Sequence, residues 1–228
     1  MGFFESIGKF FSEFGPLLLS NTLQTLYMTL ASTFFGYVLG LPLGVVLTVT
    51  GEGGIRENRV VYKVLDVIVN ILRSVPFLIL MVLVMPITRF IVGKTFGSTA
   101  TIIPLVIAAA PFIARMVESS LKEVDSGVIE AAQSLGATNM TIITKVLLTE
   151  ARTSLIVGFT IALGTILGYS AMAGAIGGGG LGAMAMQYGY YRYNTPVMIV
   201  TVVILVVLVQ ILQWLGMKLS RKLDRRIR

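Results

Sequence analysis

Cysteine and histidine are both absent from the 228 residues. Without cysteine there is no disulfide framework and no thiolate site. Without histidine, a Ser-His dyad and a histidine-ligated metal are excluded. There is no Gly-x4-Gly-Lys-Ser/Thr phosphate loop, so the chain does not hydrolyse ATP by that route. Acids are few, and most lie at the edges of apolar runs: Glu52, Glu57, Glu118, Glu123, Asp125, Glu130, Glu150 and Asp224. Only Asp66 is ambiguous. A secondary transporter places ionisable groups near the midplane, and the interiors of four of the five spans assigned below hold no acid. Any uphill transport must then draw its energy from a partner.

Apolar sequence dominates: 55% of residues are hydrophobic and the mean hydropathy is +0.87. Apolar runs of about 20 residues suffice to cross a hydrocarbon core of about 30 Å as helices. Five spans are expected, near 22–49, ending near 92, 101–117, 154–176 and 196–217. The net charge of +7 sits at span ends and reads as topology rather than as nucleic-acid binding. Arg56, Arg59 and Lys63 share one side with Lys122, Lys145 and Arg152, and with the tail's Lys218, Arg221, Lys222, Arg225, Arg226 and Arg228. The positive-inside rule puts that side in the cytoplasm, the N-terminus outside and the C-terminus inside.

The first 21 residues lack a basic region followed by an apolar one, so no cleavable signal is expected. Phe3, Phe4, Ile7, Phe10, Phe11 and Phe14 at helical spacing predict an amphipathic surface helix. "MGFFES" matches the myristoylation pattern formally, as short motifs often do by chance. In the approach to span 2, Arg59, Lys63, Asp66, Asn70 and Arg73 make one polar stripe, and Pro76 then kinks or ends the helix. The stripe is either interfacial or faces a protein-lined cavity. Gly36, Gly40 and Gly44, and again Gly164 and Gly168, recur every fourth residue and let helices approach closely.

Between spans 3 and 4, Asp125 or Ser126 suits an N-cap, and Val128, Ala131, Ala132 and Leu135 share a face. Gly136 suits a left-handed helix stop, and Thr138 caps a second helix carrying Met140, Ile143, Val146 and Leu147. The first helix is too short to stand alone in water and needs a partner groove.

"EAAQSLGATNMTIITKVLL" resembles the EAA loop of membrane subunits of binding-protein-dependent ABC importers. Glu130, Ala131, Ala132 and Gly136 match that pattern. Thr149 stands where the family has proline, as do Asn139 and Thr153 at other family prolines, so a straighter helix into span 4 is expected. "LQTLYMTLASTFFGYVLGLPLGVVL" resembles the family's first core span. "ILRSVPFLILMVLVMPITRFIVG", "APFIARMVESSLKEV" and "LGYSAMAGAIGGGGLG…QYGY" resemble the methionine-importer permeases.

The resemblance implies an all-α integral membrane protein with the type I importer permease fold. Its parts are a segment at 1–21, a permease domain at 22–213 with a coupling loop at about 119–150, and a basic tail at 214–228. It also implies a homodimer, two ATPase subunits that bind ATP and Mg, and an extracytoplasmic substrate-binding lipoprotein. Glu130, Ala131, Ala132, Leu135, Gly136 and Ala137 would form the ATPase contact. This chain itself has no catalytic residue, metal or cofactor and is not an enzyme. Methionine, D- or L-, is the expected substrate, with another small amino acid or zwitterion as the alternative.

Tyr169, Ser170 and Met172 are the candidate pathway residues, with Met172 at the gate by resemblance; the competing reading makes Met172 bundle core. Tyr188, Tyr190, Tyr191 and Tyr193, in an external segment at 177–196, are candidates for contact with the binding protein or for an aromatic belt. An intramembrane enzyme is disfavoured because no pair of membrane aspartates is visible. A passive channel would purify without any ATPase.

Overall fold

A computed structural model describes residues 3–223, and side chains from 8 to 222. The formal myristoylation site, the side chains of Phe3, Phe4 and Ile7, and the tail residues Asp224, Arg225, Arg226 and Arg228 lie outside the described residues. Every element there is helical. The first, α1 (Phe3–Thr50), runs unbroken through Pro16 and Pro42. Then come α2 (Arg59–Ser74), α3 (Phe77–Leu83), α4 (Met85–Val92) and α5 (Ser98–Lys122). A loop region of short helices follows, then α9 (Arg152–Gly174), α10 (Gly180–Met184), a π turn (Ala185–Tyr190) and α11 (Thr195–Leu223).

Among the described residues, four helices are long and apolar enough to cross a membrane, and the bent pair α2–α3 makes a fifth span if counted as one. The break there is local chemistry. Val75 is extended at φ −79° and ψ 123°, as the residue before a proline prefers, and Pro76 cannot donate to continue α2. Prolines 104 and 111 leave α5 unbroken, which membrane helices tolerate. From Phe3 on, the segment expected as a separate surface helix runs continuously into α1, and Phe10, Phe14 and Leu17 pack with Leu18 against Met184, Val197 and Tyr188.

The chain forms two compact units. One takes the chain up to Ser32 with Phe77–Leu105 and Gly164–Ile211; the other takes Thr33–Pro76, Val106–Leu163 and the chain from Leu212. In the first, α10, in the glycine-rich start of the 177–196 segment, is wholly buried. Gln24 and Thr25 of α1 accept hydrogen bonds from the Gly180 and Leu181 amides at 3.1 and 2.9 Å. The Thr101 hydroxyl donates to the Gly178 carbonyl at 3.2 Å. These bonds satisfy backbone groups that lipid would leave orphaned.

In the second unit α1 packs on α5 through its small-residue row. A Cβ at Gly40 would lie 2.7 Å from the Ala110 carbonyl oxygen and 2.8 Å from Ile113 Cβ. Only glycine permits that approach, and close backbone contact is what holds helices together where no hydrophobic effect separates them from lipid. Leu47, Val69 and Ala114 form a core there with Leu43, Tyr62 and Leu65, joining α1, α2 and α5.

Candidate functional site

The loop after α5 is built by caps at both ends. The Asp125 carboxylate accepts from the Gly127 amide at 2.7 Å and starts α6 (Ser126–Ser134). The helix closes with the Gly136 amide on the Gln133 carbonyl and the Ala137 amide on the Ala132 carbonyl, at 2.9 and 3.1 Å. This paired closure needs a left-handed residue at Gly136, whose φ is +77°. Thr138 then accepts from the Thr141 amide at 3.3 Å and caps the next helix.

That second helix is not the regular α-helix expected. After α7 (Asn139–Thr141) the chain makes a π turn over Ile142–Leu147 before α8 (Leu148–Glu150). Buried Ile142 and Leu147 are five residues apart, the interval of π bonding, while Met140 is exposed. The Thr149 hydroxyl, at the position of the family's proline, donates back to the Thr144 carbonyl at 3.4 Å.

None of the residues of α6 is buried. Glu130 and Ala131 are exposed, and Leu135 at its end is 88% exposed, beside Val128 at 44%. Val128 and Leu135 thus leave an apolar face of this capped helix uncovered within the chain.

The pathway candidates do not share one environment. Along α9, Ile161, Gly168 and Met172 are exposed at intervals of one helical face, Met172 by 50%. Met172 is therefore not core within this chain. Ser170 is fully buried, and its hydroxyl donates to the Leu167 carbonyl of its own helix at 2.7 Å, so it does not line that face. The Tyr169 ring stacks flat on Phe77, centroids 4.7 Å apart and planes within 4°. Gly168 has open space where a Cβ would stand, so it makes no close helix contact within this chain.

The polar stripe divides. Arg59, Lys63, Arg73 and Pro76 are exposed. Asp66 and Asn70 instead meet Arg115 of α5, which donates to the Asp66 carboxylate and, at 3.0 Å, to the Asn70 amide oxygen. Arg115 also donates to Glu118 at 2.6 Å. Arg115 was not singled out from the sequence; the signal was Arg115, Glu118 and Lys122 at helical spacing inside a membrane helix. Among the described residues no three metal-ligating side chains cluster. Tyr190, Tyr191 and Tyr193 are exposed, whereas Tyr188 packs on Phe14 and under Arg192.

The model of a family described as the binding-protein-dependent transport system inner membrane component matches residues 36–228. The probable D-methionine transport system permease protein MetI of Vibrio cholerae is 51% identical over 223 residues, 98% of this chain and 99% of that protein. The D-methionine transport system permease protein MetI of Escherichia coli is 52% identical over 158 residues, 69% of this chain and 73% of that protein. A solved inward-facing structure of the MetNI methionine ABC transporter matches with a TM-score of 0.90 at 50% identity, covering 92% of this chain and 97% of that one. An amino acid ABC transporter crystallised with histidines matches at 0.77 and 21% identity, a likeness of fold alone.

Proposed function

The chain belongs to the binding-protein-dependent transport system inner membrane components, and from that premise we propose that it is the permease of an ATP-driven importer carrying methionine across the bacterial cell membrane. Methionine rests on the relatives named for D-methionine transport. The observation that carries the transport reading is α6: capped at both ends, without a buried residue, and ending on exposed Leu135.

In this reading α6 seats in a cleft of a separate ATPase. Val128, Ala131 and Leu135 supply the apolar contact, Glu130 and Ala132 flank it, and Gly136 with Ala137 fix the angle of exit. The basic segments and the loop lie in the cytoplasm and the N-terminus lies outside. ATP and Mg stay on the ATPase pair, whose closure displaces α6 and drives a rigid-body change in access. Two copies of this chain face each other across the pathway, with Met172 on the exposed face of α9. A thioether is soft and unbranched and seals a pore without presenting a fixed polar site. Tyr169 positions that helix through its stack with Phe77. A substrate-binding lipoprotein delivers the solute from outside.

The test is reconstitution with the ATPase and binding protein in liposomes, with uptake of D- and L-methionine measured against other small amino acids. Methionine uptake dependent on ATP is expected. Preference for another amino acid would keep the mechanism and replace the substrate. Gly136→Pro removes the amide that closes α6 and forbids φ +77°. It is expected to abolish ATPase association while the membrane dimer persists; retained association would refute the docking role.

A further inference from the structure

Four charged side chains are drawn together where α2 meets α5. Arg115 donates through one guanidinium nitrogen to Glu118 at 2.6 Å and through the other to Asp66 and Asn70. Lys122 and the Tyr62 hydroxyl donate to the other Glu118 oxygen at 2.8 and 3.2 Å. Glu118 is buried, and the group balances two cations against two carboxylates. Such groups are costly within a membrane helix, and a buried ion pair by itself is weak evidence of stability. The apolar contact beside it, Leu47, Val69 and Ala114, already joins the same helices.

What the charges add is resistance to sliding. Apolar side chains repack along a helix face at small cost. Arg115 is anchored on its own helix by Glu118 through one nitrogen and reaches α2 with the other, so α5 cannot slide along α2 without parting Asp66 from its cation and Asn70 from its donor. Its placement also matters. Only two residues separate Lys122, the end of α5, from Asp125, the cap of α6. On the other side α2 leads through Val75 and Pro76 into Phe77, which stacks on Tyr169, three residues before Met172. We propose that the Asp66–Arg115 contact is a strut that carries the displacement of α6 from α5 to α2, and so to the gate helix. Asp66 and Arg115 are then positioning residues for transport. The proposal rests on the coupling and gate reading above.

The experiment uses the full complex in liposomes, reading ATPase association, ATP hydrolysis and methionine uptake together. In Asp66→Asn the ATPase stays bound and active, while ATP consumed per methionine rises at least ~5-fold, the scale of a lost coupling between sites. Asp66→Glu restores the ratio. The chain has no cysteine, so a paired Asp66→Cys, Arg115→Cys permease, treated with a bifunctional thiol reagent before the partners are added, is tethered at those two positions alone. Untethered, it is uncoupled; tethered, it transports again. An unchanged ratio in Asp66→Asn overturns the strut. So does loss of ATPase association in that variant, which would make the cluster a folding or docking element, and so does a tether that blocks uptake. Failure of the coupling reading itself shows separately, as ATPase association retained in Gly136→Pro.

Discussion

Replacing Leu135 with alanine separates docking from folding. The side chain is 88% exposed, so truncating it removes almost no contact inside this chain. Whatever it contributes must come from a partner. Leucine exceeds alanine by three carbons, and at about 0.8 kcal/mol per buried methylene the loss is about 2.4 kcal/mol if the partner buries it fully. At 1.4 kcal/mol per tenfold, that weakens each ATPase contact about 50-fold. The assay is a titration of detergent-solubilised permease with the ATPase, read by co-elution and by substrate-stimulated hydrolysis. The control is Leu147→Ala. Leu147 is 2% exposed, so its truncation should cost about 2–5 kcal/mol of fold stability through a cavity. An unchanged ATPase affinity in Leu135→Ala, with the control behaving as stated, would refute the argument that α6 is ordered for docking.

Three further outcomes follow from the same geometry. Met172→Ala should leak methionine or raise ATP hydrolysis uncoupled from uptake in proteoliposomes; unchanged leak and coupling would return Met172 to a packing role. Gly40→Ala sets a methyl against the Ala110 carbonyl and should lower the thermal unfolding midpoint of the purified permease, whereas Gly168→Ala meets nothing within 4 Å and should leave it unchanged. Phe77→Leu removes the stack on Tyr169, worth about 0.5–1.5 kcal/mol; a shift in Met172 accessibility to a thioether oxidant in the intact complex would register it, and no shift would show that the stack does not position α9.

Much of this molecule was legible one segment at a time. The membrane helices follow from apolar length, the α2 break from Pro76, α6 from Asp125 and Gly136, and the start of α7 from Thr138. Each depends on residues near in sequence. The same local rule misled where backbone hydrogen bonds had more than one solution. The apolar set after Thr138 reads as an α-helix, yet burying Ile142 with Leu147 takes a π turn. The phenylalanines near the start read as a surface helix, since periodicity cannot tell lipid from Met184 and Val197 as the covering surface. Ser170 looked pathway-facing from composition, but which side of α9 is covered depends on helices far away in sequence.

By itself, then, the sequence determined that this is a helical membrane protein without its own phosphate loop, carrying a short capped helix between two of its spans. Those conclusions rest on solvation and backbone geometry, which act within a few residues. Only the tertiary structure decided that Asp66 meets Arg115 rather than lipid headgroups, that α10 is buried, and that Met172 rather than Ser170 lies on the open face. Those outcomes depend on which helix faces come together, and a charge or hydroxyl on one helix does not reveal what the facing helix places opposite it.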